Sequence, residues 1–486
     1  MYDVLIIGGG ASGCAIAREL SRYDLRLALL ERHPDVSMGA TKGNSAIVHG
    51  GFAEAHKKLK GRLCYQGRKQ FSVLSGELGF PFKAIGSFVL SFDEKQLPEL
   101  EALLENGRQN GLPDLQILNR EQILAREPKV NPEVQYGLWC EGAGICSPYE
   151  YVIALAENAV ANGLELFLNS EVSSLKHGDG ALTVETADGE TFTAKFVVNA
   201  AGLQSARVSA MASVDDFTVK PRSGEYLLMN RGSGSLVHSV LFQMPTKMGK
   251  GILVTPTVYD NFLLGPDAID EERDDRGTHA ERLHRVFRQA MLTTPDLDIK
   301  RYLRSFAGVR PVASTDDFIV EGTRTPGFVN VAGIQSPGLT SSPAVAERVR
   351  DILADAGLKL EKKADFHLER KQSYVYRDYL PAKEAAKLAE LAEGAEGRLV
   401  CRCEQVPEAS VREAFSRGIP VTTADGIKRR TRASMGFCQG EFCRPRMAAV
   451  AAALGVEDFD ARSDVEREGI ERVGREEILA YFKRQG

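Results

Sequence analysis

The chain reads as an α/β protein. A nucleotide-binding βαβ unit opens it, strand-rich stretches interrupt its middle, and a small cysteine-bearing unit follows near the C-terminus. Three observations predict this. Residues 4–13 read VLIIGGGASG, a glycine-rich turn after an apolar run. Strand-like and helical segments alternate through the middle, with apolar strands ending in small residues. Four cysteines gather as C-x-C and C-x4-C: Cys401, Cys403, Cys438 and Cys443.

At 486 residues the chain has room for two or three domains with large cores. Its 43% hydrophobic and 26% charged residues are those of an ordinary soluble protein. A net charge of −5 argues against general nucleic-acid binding. No apolar stretch approaches the roughly 20 residues that span a bilayer. The opening MYDVLII enters a strand with no basic segment ahead of it, so no secretory signal is expected. Eight cysteines are too few for a disulfide scaffold at this length. The scattered four, Cys14, Cys64, Cys140 and Cys146, read as inert packing residues, and the C-terminal four as a ligand set.

The elements follow in order. Residues 3–8 predict a buried strand, 12–23 a helix, and RLALLER a second strand ending near Glu31. This Rossmann-like unit is the setting in which G-x-G-x-x-G carries meaning. Gly8 allows the tight turn, Gly10 the close approach of a pyrophosphate, and Gly13 the packing of helix on strand. The helix start offers its positive dipole end to phosphate, and Glu31 an acceptor for a ribose hydroxyl. FVVNAAG (196–202) reads as a returning strand of the same domain. Residues 327–353 read as strand, glycine-rich turn and helix, a second helix start aimed at the nucleotide. GEYLLM and GILVTPTV suggest a separate sheet that covers the nucleotide and forms the substrate pocket. Residues 381–397, rich in Ala, Glu and Lys, predict a solvated helix and linker. The chain from 456 onward is densely charged in both signs and predicts exposed helix.

VLIIGGGASGCAIAREL…LLER, with GATKGNSAIVHGG at 39–51, resembles the D-amino-acid-oxidase-type FAD superfamily. VVNAAG and AGIQSPGLTSSPA sit where that superfamily has further flavin contacts. The resemblance spans about residues 1–360 and implies bound FAD. Gly8, Gly10, Ser12, Gly13 and Glu31 would face the adenosine side. Thr41, Asn44 and Ser45 would lie near the pyrophosphate and flavin. Gly202, Gly333, Gly338, Leu339 and Thr340 would complete the site, the last four in the turn nearest the isoalloxazine ring. Members of the superfamily oxidise a C–H bond beside an alcohol or amine. His49 is then a candidate base, since imidazole titrates near neutrality; the other reading is a structural contact to flavin or backbone. Arg310, in SFAGVRPVAS, would fork onto an anionic substrate, or else lie in a buried ion pair. Arg222 and Lys220, in VKPRSGEY, are weaker candidates for the same task and otherwise read as solvated strand-end charges.

In the cysteine unit, 34 residues separate Cys403 from Cys438. Two close pairs meeting across a fold is ligand geometry. Zinc and [2Fe–2S] both accept four thiolates, and the x1 and x4 spacings lean toward iron–sulfur. KRRTR (428–432), Arg444 and Arg446 either offset cluster charge, dock a partner, or form a solvated face. LVCRCEQV…DGIKRRTRASMGFCQGEFCRPR resembles the bacterioferritin-associated-ferredoxin (BFD) type of [2Fe–2S] domain, as found at the C-terminus of anaerobic glycerol-3-phosphate dehydrogenase large subunits. That resemblance implies that Cys401, Cys403, Cys438 and Cys443 hold a [2Fe–2S] cluster. A two-electron flavin beside a one-electron cluster favours a dehydrogenase over an oxidase.

The expected layout is an FAD oxidoreductase over 1–360. Its nucleotide-binding parts are about 1–80, 145–215 and 325–355, and its substrate-domain parts about 81–144 and 216–324. A linker (361–397), an α-helical BFD-like domain (398–455) and a charged tail (456–486) follow. The resemblance implies oxidation of sn-glycerol 3-phosphate to dihydroxyacetone phosphate. Where that family has Gly-Gly-Lys and then Thr-Tyr-Arg, this chain has GIQSPGLTSSPA (333–344), closer to L-2-hydroxyglutarate dehydrogenases, as are NSAIVHGG and LKGRLCYQG. L-2-hydroxyglutarate or another 2-hydroxy or amino acid is the alternative substrate, and a non-catalytic electron relay the second alternative. Implied partners are a second flavoprotein subunit and a membrane-bound or soluble electron acceptor, with no nucleic acid. The expected location is cytoplasmic, or peripheral at the inner membrane face through those partners.

Overall fold

The computed structural model describes residues 1–178, 180–244, 251–370 and 397–485. β1 (Tyr2–Ile7) lies parallel to β2 (Leu27–Leu30) on one side and to Thr191–Asn199 on the other. Phe328–Ala332 continues the parallel set beyond Thr191–Asn199. β1 and β2 are almost wholly apolar because both faces of a parallel sheet are covered. On one face Val4, Ile6, Leu27 and Leu29 pack with Ile16 and Leu20 of α1 (Ala11–Leu20) and with Val345 and Val349 of the Gly338–Asp355 helix. The first helix ends at Leu20, earlier than the spacing predicts. Tyr23 instead leaves the helix to bridge Lys362. Asn199 and Asn330, on neighbouring strands, are buried and share a side-chain hydrogen bond of 2.9 Å. These four parallel strands, with Glu165–Phe167 parallel beside β2, end at one edge, where the connecting loops converge.

A second, mostly antiparallel sheet is built from both middle stretches. Val219–Met229 pairs with Tyr302–Ala313 along its whole length, and Ser87–Ser91 joins the far half of the sheet through Val240–Gln243. Its core includes Phe88, Leu227, Phe262 and Tyr302, and also Val473 and Ile478 from the C-terminal segment. The charged tail is thus not merely solvated helix. Its few apolar residues pin it to the second sheet, a packing that its charge-dense composition hides.

The cysteine unit forms a small core of Val400, Val411, Ile427 and Met447. Its helices are Glu408–Ala414, Ala424–Thr431 and Arg444–Ala453. The helix expected at 381–397 lies outside the described residues apart from 397. Residues 361–370 are no free spacer: the His367 backbone accepts from Asn158 and Asn162, and Arg370 pairs with Glu157 at 2.7 Å.

The unit docks through buried charge. Asp35, 2% exposed, accepts from Arg429 and Arg430 at 2.8–3.2 Å. Burial alone would raise the Asp35 carboxyl. The two guanidiniums outweigh it and hold the group at about 2. Its stabilisation is complete above the unfolded value of about 3.9 and is lost as pH falls through about 2. Arg417 reaches Glu157 at 2.8 Å and Lys42 reaches Asp464 at 2.9 Å across the same seam. Asp35→Asn would leave two buried cations short of a partner. We expect it to weaken docking by about 3 kcal/mol, read as faster proteolytic release of the C-terminal unit. Wild-type release rates would refute this role.

Candidate functional site

The loops at the shared strand edge enclose a cavity of about 870 Å³. Gly8 leaves β1 at φ +108°, and a Cβ there would stand 2.5 Å from the Ala200 carbonyl oxygen. A Cβ on Gly13 would stand 1.9 Å from the Gly8 oxygen, so helix and turn meet backbone to backbone. A Cβ on Gly10 would have only Thr41 Oγ1 near it, at 3.6 Å: this glycine faces open space. The helix start carries no side-chain cap at Gly10. Its Ala11 N–H is met by Thr41 Oγ1 at 3.1 Å, and the other first-turn donors remain for a ligand. Glu31 is buried and accepts from the N–H groups of Gly9 (2.7 Å) and His33 (2.9 Å). Burial raises its carboxyl against those two donors. A glycine cradle, an uncapped helix start and a buried acid at the end of β2 fit a dinucleotide.

Gly8, Gly10, Ser12, Glu31, Thr41, Asn44, Ser45, Gly202, Gly338 and Leu339 line this cavity, as do His49 and Arg310. Gly13, Gly333 and Thr340 do not line it; they shape its walls. Gly333 turns at φ +65° against Ala313. Thr340 Oγ1 accepts from the His49 N–H at 2.9 Å and donates to the Ile47 carbonyl at 3.3 Å. Asn44 folds its own loop, donating to Thr41 O and accepting from Ala46 N–H, both at 2.7 Å.

His49 Nε2 lies 3.3 Å from Ser336 Oγ, and its ring stacks on Phe242 with centroids 5.9 Å apart. No carboxylate pairs with it among the described residues, and burial lowers its imidazole to about 4. Arg310 Nη2 donates only to the carbonyls of Asp267 (2.9 Å) and Ser223 (3.3 Å), so its charge meets no carboxylate among the described residues. Gly224 makes this possible: a Cβ there would sit 2.7 Å from Arg310 Nη2. Arg222 also lines the cavity but is paired with Asp270. Its place on the wall differs from that of a solvated strand-end charge, and its ion pair from that of an open anion receptor. Tyr226 was not legible in the sequence. Its hydroxyl is 3.0 Å from Ser45 Oγ and its ring stacks on Phe306 at 4.7 Å. Only the pairing of two distant strands brings these groups to one wall.

Cys401 ends a strand, Cys403 follows in the turn, and Cys443 directly precedes the Arg444–Ala453 helix. Cys403 and Cys438 sulfurs are 3.6 Å apart, and Ser434 Oγ lies 3.2 Å from Cys443 Sγ. A hydrogen bond from the Cys401 thiol lowers the Cys443 thiol to about 7, against burial, which raises it. Among the described residues no group of three or more His, Cys, Asp or Glu converges on a single ion. Four thiols without hard oxygen donors suit an iron–sulfur cluster. KRRTR does not form a solvated face: Arg429 and Arg430 hold Asp35. Arg432 pairs with Glu404 at 2.9 Å and lies 3.8 Å over the Tyr259 ring.

Comparison with known proteins agrees with this geometry. The family described as FAD dependent oxidoreductase matches residues 3–352, and the BFD-like [2Fe-2S] binding domain matches residues 399–453. A glycerol 3-phosphate dehydrogenase of Caloramator mitchellensis is 41% identical over 479 residues, 96% of this chain and 97% of that protein. The human mitochondrial L-2-hydroxyglutarate dehydrogenase is 28% identical over 284 residues, 55% of this chain and 61% of that protein. The structure of dithionite-reduced L-alpha-glycerophosphate oxidase from Mycoplasma pneumoniae, with FAD bound, superposes with a TM-score of 0.73 at 33% identity. It covers 77% of this chain and 99% of its own.

Proposed function

The chain belongs to the FAD dependent oxidoreductase family and carries a BFD-like [2Fe-2S] binding domain; from that premise we propose that it is a dehydrogenase converting sn-glycerol 3-phosphate to dihydroxyacetone phosphate. The observation that carries this is the end-to-end match to a glycerol 3-phosphate dehydrogenase, cysteine unit included. The glycerophosphate oxidase, by contrast, is complete over 77% of this chain. When bound, FAD supplies a hydride acceptor and the cluster a one-electron exit.

The chain's own residues have these parts in the proposal. The turn of Gly8, Gly10 and Ser12 holds the pyrophosphate against the α1 N-terminus, Gly13 keeps the helix close, and Glu31 receives the ribose. Thr41, Asn44, Ser45, Gly202, Gly333, Gly338, Leu339 and Thr340 surround the remaining cofactor. Arg310, in ion-pair contact with no carboxylate among the described residues, receives the substrate phosphate. His49 takes the hydroxyl proton at Nε2, its ring held by Phe242. Cys401, Cys403, Cys438 and Cys443 hold the cluster. Cys403 is exposed, and Phe437 and Phe442 beside the ligands are 68% and 67% exposed. That face suits transfer to a second flavoprotein, a membrane-bound cluster protein or a soluble carrier. Among the described residues no helix is long and apolar enough to cross a membrane.

Anaerobic addition of glycerol 3-phosphate should bleach the flavin stoichiometrically. Bleaching by L-2-hydroxyglutarate instead would move the substrate to the 2-hydroxy acids. If neither these nor a panel of small hydroxy and amino acids bleaches it, the catalytic reading fails.

The base has a pH signature. Neutral imidazole is the proton-accepting form, and burial lowers the pKa of His49 from 6.5 to about 4. The acid limb of flavin reduction therefore moves down with it, and the rate should stay flat from about pH 5.5 to 7.5. An acid limb near 6.5 that survives in His49→Gln would assign the proton to another group.

A further inference from the structure

A second cavity, about 210 Å³, lies where the cysteine unit meets the 39–46 loop and the Tyr302–Ala313 strand. The Gly43 and Gly308 backbones form the wall it shares with the dinucleotide cavity. They touch so closely that a Cβ on Gly308 would stand 1.6 Å from the Gly43 oxygen. Tyr149, Tyr259 and Phe306 supply an apolar lining.

Its charge is out of balance. Among the described residues, seven basic side chains line it against three carboxylates. Lys42, Arg276, Arg429 and Arg432 each meet a carboxylate within 3.0 Å. Arg304 and Arg472 touch none among the described residues, with Asp425 and Asp464 attracting both only from farther off, and Lys428 approaches Asp425 at 3.3 Å. Arg472 Nε is buried with no hydrogen-bond partner. These three cations come from separate elements: the long strand, the Ala424–Thr431 helix and the C-terminal segment. Burial, and then the repulsion of Arg304, brings Arg472 down to about 9. Lys428 falls to about 8, from burial and from both arginines, with Asp425 opposing. Like charges pressed together in an enclosed space are costly unless an anion joins them.

We propose that this cavity is an anion site, in which Arg304, Lys428 and Arg472 take a phosphate-class oxyanion: inorganic phosphate or the phosphate of a phosphomonoester. Three donors from three directions match a tetrahedral, multiply charged group better than a halide. Because Arg304 belongs to the FAD part and the other two to the C-terminal part, a bound anion bridges them. The proposal does not depend on which substrate the enzyme oxidises.

Two measurements on the holoenzyme test it. Calorimetric titration in phosphate-free buffer uses inorganic phosphate in one arm and methyl phosphate in the other; the tighter arm identifies the source. Binding should weaken by about tenfold or more in R304Q/R472Q, with flavin reduction by substrate unchanged. Absence of binding in both arms, or equal binding by the variant, overturns the proposal. Should the variant not fold, wild-type crystals soaked in selenate decide: an anomalous peak between Arg304 and Arg472 supports the site, and an empty cavity overturns it.

Discussion

Arg310→Ala is expected to lower kcat/KM for glycerol 3-phosphate by roughly a thousandfold, about 4 kcal/mol. The physical reason is the state of the wild-type guanidinium. It lies in a partly buried wall and donates to two carbonyls, with no carboxylate in ion-pair contact among the described residues. A substrate phosphate would be its first full counter-charge, and truncation would leave that phosphate desolvated and unpaired. Arg222, lining the same cavity, is already tied to Asp270 and cannot take over without breaking that pair. Arg310→Lys should recover less than a tenth of the loss, because an ammonium cannot present two parallel donors. Steady-state kinetics with stopped-flow flavin reduction read the effect, mainly as a rise in KM. An unchanged KM in Arg310→Ala would remove the residue from substrate binding.

Cys438→Ser separates the two halves of the proposed relay. Iron should fall from about two per chain to near zero, with loss of the broad visible bands, while FAD stays bound. The glycine cradle has no part in holding the cysteines, so substrate should still bleach the flavin in a single turnover. Multiple turnover with a one-electron acceptor should drop by about a hundredfold. Cys14→Ala is the control. That thiol is fully buried, burial raises its pKa well above the ordinary value, and iron content should not change. Iron retained in Cys438→Ser would exclude it as a ligand.

The nucleotide unit was legible because its chemistry is local. Gly8, Gly10 and Gly13 sit within one turn, and Glu31 one strand later, so spacing alone brings them to one edge. The cysteines were legible for a related reason: thiol pairs with one and four residues between them have few other uses. The basic run at 428–432 was not. Its composition suits solvent, a cluster or a partner equally, and Asp35 lies nearly 400 positions away. The tail does hold a largely exposed helix, but its docking was not legible, because two buried side chains, Val473 and Ile478, carry little weight among its many charges.

From the order of residues alone came the α/β class, the cofactor cradle and the thiol set. Each depends on neighbours a few positions apart, whose geometry the backbone imposes directly. Folding alone decided that Arg310 meets two carbonyls while Arg222 is paired with Asp270, that Tyr226 meets Ser45, and that Arg304, Lys428 and Arg472 crowd one cavity. A side chain's charge state and partners depend on what long-range strand pairing and domain docking bring within a few ångströms, and chain order does not encode that distance.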